Sequence, residues 1–309
     1  MRRFLIGWIM IVILLPFAIA WIYGEWSERN EKREKESSPL QVEIQTAAGE
    51  QRIGVTDFLA GVVAGQIPAN FEMETLKAQA VMARSCLYKR AGDRNYIAMS
   101  DTGMDWYSES RRKEIWESSY KENNDRIDQA VRETDGQILY DEGEQMILPA
   151  WFYVGNGKTR SGSDVWGTEI SWLKQVESPW DTGAPEYETT VTMTKKQMIH
   201  LLEKYDRDFS CTPESLASAC EVTATDGAGY VTEIQVGNRL MKGEDFRYAL
   251  NLPSACFRMT FEGKKVMITI YGQGMGVGFD QYGANEQAKE GKNYEQLLQY
   301  YLRGVKVGE

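Results

Sequence analysis

Residues 58–85 read FLAGVVAGQIPANFEMETLKAQAVMARS, and two apolar runs on either side of a proline turn set the parsing of everything around them. Residues 56–63 predict a short helix opening on the capping-type Thr56, and the segment Ala64-Gly65-Gln66-Ile67-Pro68 stops it. A stronger helix follows over residues 73–89, with Leu76, Ala80, Ala83 and Leu87 recurring on one face. Lys77, Gln79 and Arg84 fall on its other side, where the ordinary expectation is a solvated face.

Outward from this pair, residues 40–44 alternate as a strand, and residues 116–134 carry a helical pattern. Residues 138–140 and 146–152 read as strands flanking the turn Asp141-Glu142-Gly143. A helix is predicted over 194–205, strands over 222–225, 231–236 and 266–271, and a last helix over 293–302. Glycines 272, 274, 276 and 278 alternate in a loop after the last strand, a pattern that lets backbone approach another surface closely. Helices and strands mix without regular βαβ alternation, so the fold class is α+β.

Arg2 and Arg3 precede an uncharged run over residues 4–23, FLIGWIMIVILLPFAIAWIY, about the twenty residues a bilayer-crossing helix needs. Positive charge before the run places the N-terminus in the cytoplasm and the rest of the chain outside. Ala18-Ile19-Ala20 offers a cleavage site for a rival reading as a signal peptide and a secreted form. Continuation of the run through Trp21, Ile22 and Tyr23 favours an uncleaved anchor. Residues 24–39, GEWSERNEKREKESSP, are charged and aperiodic and read as a linker. The chain thus divides into an anchor (1–23), a linker (24–39) and an extracytoplasmic domain (40–309).

The formal net charge of −10 argues against a nucleic-acid partner, which needs surplus Lys and Arg. Four cysteines, Cys86, Cys211, Cys220 and Cys256, form no C-x-x-C pair, and His200 is the only histidine, so no metal site is expected. His200 reads as a helix-surface residue. An oxidising compartment would permit a Cys211–Cys220 disulfide, although spacing alone does not fix its geometry. The run Gly155-Asn156-Gly157-Lys158-Thr159-Arg160 lacks the full phosphate-loop pattern, so no nucleotide cofactor is expected.

Four segments in order resemble the SpoIID/LytB family: residues 58–85; 147–167 (ILPAWFYVGNGKTRSGSDVWG) with 172–179; 230–254 (YVTEIQVGNRLMKGEDFRYALNLPS); and 272–307, opening GQGMGVGFDQYGANEQ. The resemblance implies a peptidoglycan lytic transglycosylase or amidase enhancer of sporulation, acting with a partner hydrolase during forespore engulfment. In such an enzyme one carboxylic acid protonates the leaving oxygen and then takes a proton from the sugar hydroxyl that closes the anhydro ring. The family carries that glutamate as Gly-Glu-x-Pro, and this chain has Gln66. An amide donates and accepts hydrogen bonds but delivers no proton.

Further departures run the same way. Gly274-Met275-Gly276 replaces Gly-His-Gly, Asp280-Gln281 replaces Ser-Gln, Phe152 or a neighbour replaces a histidine, and Asp105 or a neighbour replaces a metal-binding cysteine after Asp101-Thr102. The resemblance puts Gln66 in the glycan groove, with Gln79, Arg84, Asn156, Thr159, Arg160, Met275, Gln281 and Tyr282 as substrate-binding or buttressing residues. Trp166 would stack on a sugar or pack in the core. The expected function is a membrane-anchored peptidoglycan-binding protein, catalytically impaired, that holds glycan strands or recruits a wall hydrolase. The alternative is an active transglycosylase using a substitute carboxylate, Asp280 first, then Glu72 or Glu74.

Overall fold

The computed structural model describes residues 40–46, 49–185 and 187–309. The anchor and linker expected over residues 1–39 lie outside them. Among the described residues no helix is long and apolar enough to cross a membrane.

The chain is α+β, with helices and small sheets interleaved. Strand β1 (Gln41–Thr46) pairs antiparallel with β2 (Gly49–Gly54) and parallel with β3 (Tyr96–Ala98). Between β2 and β3 run α1 (Val55–Gln66) and α2 (Met73–Ala91). The short α3 (Met99–Thr102) follows β3, then α4 (Glu109–Trp116) and α5 (Tyr120–Glu133). The helix expected over 116–134 is therefore two helices. They are broken at Glu117, whose positive φ of 45° ends α4.

Helix α2 is buried on nearly every side. Leu76, Ala80, Ala83 and Leu87 pack into a first core with α1 and α5, as their spacing predicts. Ala78, Val81 and Met82 pack into a second core formed with the C-terminal helix. The solvated face expected for Gln79 and Arg84 does not exist, because Gln281 from the chain's C-terminal third covers Gln79 and the end of α5 covers Arg84. Arg84 donates to the carbonyls of Val131, Thr134 and Gln137, capping the end of α5. Burial draws its pKa down to about 10.

The remaining elements form a second lobe and a connecting seam. Strand β4 (Ile138–Tyr140) pairs with the C-terminal β13 (Lys306–Gly308). Of the strand expected over 146–152 only β5 (Trp151–Phe152) forms, parallel to β12 (Phe279–Asp280). Helix α6 (Gly162–Trp166) is a single capped turn. In the second lobe β6 (Glu188–Thr194) joins β11 (Lys265–Tyr271), which pairs with β10 (Phe257–Glu262). A meander of β7 (Cys220–Thr225), β8 (Val231–Val236) and β9 (Arg239–Lys242) completes it, with α7 (Lys195–Tyr205) and α8 (Gly243–Leu250) against a third core. Helices α9 (Gln281–Lys289) and α10 (Tyr294–Tyr301) close the chain over α2. His200 is exposed on α7, and Cys211 and Cys220 are free thiols.

Helix α1 passes unusually close to the segment that follows α3. A Cβ on Gly61 would lie 2.2 Å from Trp106 Nε1 and 2.7 Å from the Tyr107 carbonyl. The Tyr107 amide in turn donates to the Gly61 carbonyl at 3.0 Å. A methyl at this position must push residues 105–107 away from the helix. Gly61→Ala is expected to destabilise the chain by roughly 1–3 kcal/mol, the usual cost of overpacking. Chemical denaturation checks it, and a variant within about 0.5 kcal/mol of wild type would refute the close approach.

Candidate functional site

Gln66 is the last residue of α1, where the helix breaks before Pro68 and the side chain leaves the core. Its Oε1 accepts from the Trp151 indole Nε1 at 3.0 Å, and its Nε2 donates to the Asp105 carbonyl at 3.4 Å. An indole N–H only donates and a carbonyl only accepts, so the two contacts fix which way the amide points. From behind, Gln281 Nε2 donates to the Gln66 carbonyl at 2.9 Å and to Gln79 Oε1 at 3.0 Å.

A cleft of about 650 Å³ opens in front of Gln66, walled by Trp151, Phe152 and Tyr153 on the first lobe's side. Thr189, Arg247 and Asn251 wall it on the second lobe's side. A second hollow of about 410 Å³ shares Gln66, Tyr153 and Gln273 with it and continues past Tyr107 and Trp116. Gln66 therefore stands where two hollows join into one groove. The floor includes Gly274, whose φ of 112° brings its backbone against Phe152, leaving 2.6 Å between a would-be Cβ and the Phe152 Cβ.

The residues expected from the sequence divide sharply. Gln66 and Gln281 line the cleft, while Gln79 is buried behind them as a buttress. Arg84 lies deeper still on α2, bonded to the end of α5. Thr159 and Arg160 are buried away from the cleft. The Thr159 hydroxyl pairs with backbone at Lys174 and Val176, and Arg160 is held by Asp226 and Glu244, both at 2.7 Å, and by the Met275 carbonyl. Asn156 bonds the Ala228 carbonyl and the Tyr187 hydroxyl, and Met275 packs on the second core. Tyr282 packs on the first core, and Trp166 is half-exposed, in neither the core nor the groove. The polar run 156–160 thus joins the lobes rather than facing a ligand.

Asp280 is the main correction. Consecutive residues at the start of α9 point opposite ways, Gln281 into the cleft and Asp280 into the interior, where it is fully buried. It caps α9 by accepting from the Gly283 amide at 3.1 Å, and it meets Ser178 Oγ at 2.8 Å. Its partner is Asp181, also buried, which accepts from the Gly157 amide and from Ser178. Burial and then the neighbouring Asp181 carboxylate push the Asp280 carboxyl well above its usual range, and burial raises Asp181 too. The two carboxyls as a pair therefore hold on to a proton more readily than free ones, with the fully buried Asp280 raised the more strongly. Glu72 and Glu74 also miss the cleft. Glu72 is exposed at the head of α2, and Glu74 pairs with Lys77 and the Tyr294 amide.

Sequence reasoning missed Arg247 and treated Asp105 as a replaced metal ligand. Asp105 is the one carboxylate among the described residues that line the cleft.

The comparisons with known proteins cover the stretch that carries Gln66. A family model for SpoIID, stage II sporulation protein, matches residues 45–140. Stage II sporulation protein D of Bacillus subtilis (strain 168) is 30% identical over 283 residues, covering 88% of this chain and 80% of that protein. Its counterpart in Bacillus amyloliquefaciens is 31% identical over 282 residues with the same coverage. The chain belongs to the SpoIID family. The amidase enhancer of B. subtilis is more distant, 23% identical over 305 residues, covering 80% of this chain and 40% of that one.

The buried acid pair gives this SpoIID-family chain a defined pH dependence. The unfolded chain releases both protons above about pH 4, whereas the folded pair retains one. Native stability contributed by that proton is therefore present in acid and declines as pH rises from about 4 toward the raised folded value. Asp280→Asn keeps the shape and removes the titration. Wild-type stability is expected to fall with pH over 4–8 more steeply than that of Asp280→Asn, as measured by denaturant melts. Parallel profiles would contradict the shared proton.

Proposed function

We propose that this chain is a membrane-tethered protein of the sporulating cell envelope that binds peptidoglycan glycan strands in the groove across Gln66 and does not cut them efficiently. The observation that carries the reading is the clamp on the Gln66 carboxamide. One side meets a donor, the Trp151 indole, and the other meets an acceptor, the Asp105 carbonyl. A protonated carboxylic acid in this position would make the same two contacts, with its O–H toward the carbonyl. The amide reproduces the shape and hydrogen bonding of that acid while withholding its proton.

The groove suits a sugar polymer. Its walls combine aromatic faces, at Trp116, Tyr107 and Trp151, with polar groups at Gln66, Gln273 and Asn251. It is open along its length rather than closed over a small ligand. The relatives' names, stage II sporulation protein D and amidase enhancer, support a role in sporulation and wall processing. The apolar run at residues 4–23 supports a single anchor with the domain outside the cytoplasm. An engulfment-stage wall hydrolase is the partner that fits a strand-holding role.

A cutting enzyme remains the second reading, favoured by one feature: Asp105 lines the cleft beside Gln66. The carboxylate that such an enzyme needs is then Asp105 and not Asp280.

Incubating the full chain with sacculi and scoring 1,6-anhydro products by mass spectrometry separates the two. Wild type is expected to be retained on insoluble peptidoglycan yet to yield no product. Gln66→Glu, with a carboxyl held toward protonation by the Asp105 carbonyl, is expected to release product at least about 100-fold faster, the lower range for a general acid. Product from wild type that vanishes in Asp105→Asn would establish the cutting enzyme, and absence of retention would remove the binding role.

A further inference from the structure

The groove is chemically asymmetric about Gln66, and its second-lobe end holds a polar arrangement that no structural duty uses up. Arg247 lines that end. Its Nε donates to the Leu252 carbonyl at 3.1 Å and its Nη1 to Glu244 Oε2 at 3.0 Å, so two edges of the guanidinium are fixed. Nη2 has no protein partner among the described residues. Beside it on the same wall, Thr189 has a buried hydroxyl that likewise finds no partner. Asn251 completes the corner in a left-handed conformation, φ 53°.

The charges behind this corner balance. Arg160 and Arg247 face Asp226 and Glu244, and both arginines share Glu244. What the corner offers is therefore not bulk positive charge but pre-oriented donors: a rigid guanidinium edge and a hydroxyl. A planar oxyanion meets such donors best. At the opposite end Trp116 and Tyr107 supply aromatic surface, and the one carboxylate of the cleft, Asp105, belongs to the first lobe. An anionic group entering the groove is steered away from that end.

We propose that Arg247, with Thr189, forms a carboxylate subsite that reads the acid-bearing sugar of a wall glycan and so fixes the register of the strand across Gln66. The proposal rests on the glycan-binding reading and adds to it a specificity-determining residue. The ligand chemistry is a carboxylate, whose source is either the lactyl acid of a peptide-free muramic residue or an acid of its stem peptide.

Binding to the full chain by calorimetry tests it with four oligosaccharides of equal length: an N-acetylglucosamine oligomer, a peptide-free strand of alternating N-acetylglucosamine and N-acetylmuramic acid, the same strand with its lactyl acids converted to amides, and the peptide-bearing strand. Wild type is expected to prefer the peptide-free acid over the amide and the plain oligomer by at least about 10-fold, the worth of one charge-assisted hydrogen bond. Preference for the peptide-bearing strand alone supports the same subsite and assigns the carboxylate to the peptide. Arg247→Gln should abolish the preference, read as the ratio of affinities for the acid and amide strands. Because Arg247 also braces α8, Thr189→Val is the companion variant, and it should narrow the preference without lowering Tm. Equal affinity of wild type for all four ligands overturns the subsite and leaves the glycan reading standing. No affinity for any of them overturns both. A preference that survives in a folded Arg247→Gln assigns the carboxylate contact elsewhere and overturns Arg247's role.

Discussion

One buried side chain, Gln281, ties together the three helices behind Gln66. Its amide nitrogen bridges the Gln66 carbonyl and the Gln79 side chain, so the end of α1, the middle of α2 and the start of α9 meet at a single nitrogen. Such a bridge inside the protein is costly to lose, because each carbonyl left behind would be desolvated without a partner. It also sets direction. With Gln281 turned toward α1, the preceding Asp280 must face the interior, and the acid pair with Asp181 forms on the far side of the strand. The cleft is left poor in carboxylates by this geometry.

The pairing of α1 and α2 was readable because their apolar spacing survives unchanged in the packing. The alternating glycines were readable for the same reason: a backbone approach as tight as that of Gly274 on Phe152 tolerates no side chain. What the sequence could not convey was the second covering of α2. Lys77, Gln79 and Arg84 look like a polar face until distant segments close over two of them, the end of α5 on Arg84 and, some 200 residues on, Gln281 on Gln79. Arg160 was hidden for a related reason. Its partners Asp226 and Glu244 lie 66 and 84 residues away, and a charged residue whose counter-ions are that distant reads as a surface group. Arg247 escaped notice because α8 is only eight residues long, shorter than the windows from which a helix is read.

A carboxyl group whose hold on its proton is strengthened by its surroundings does exist in this molecule, the kind of perturbation usually associated with active sites. It is Asp280, raised by burial and by Asp181, and it stands where no strand in the groove reaches it. A raised pKa here marks a joint between α9, the turn at residues 178–183 and the loop at Gly157, not chemistry. The cleft, if Gln66 stands where the proposed reading puts the acid, is the converse: a residue with no proton to give. On that reading perturbed titration and catalytic position have come apart.

The identity of the replacement residue carries the last step. Loss of an acid by drift is most simply met with a small or apolar side chain, yet alanine at position 66 would leave the Trp151 indole N–H and the Asp105 carbonyl each facing an empty hollow. Glutamate would keep both contacts only while protonated. Glutamine keeps both at every pH, and so holds the 105–107 segment, the Trp151 wall and the join between the hollows in the arrangement that an intact strand would meet. On the proposed reading, a groove preserved in this detail around a group that cannot release a proton is shaped for holding, and the unpartnered donors at Arg247 and Thr189 give it something specific to hold.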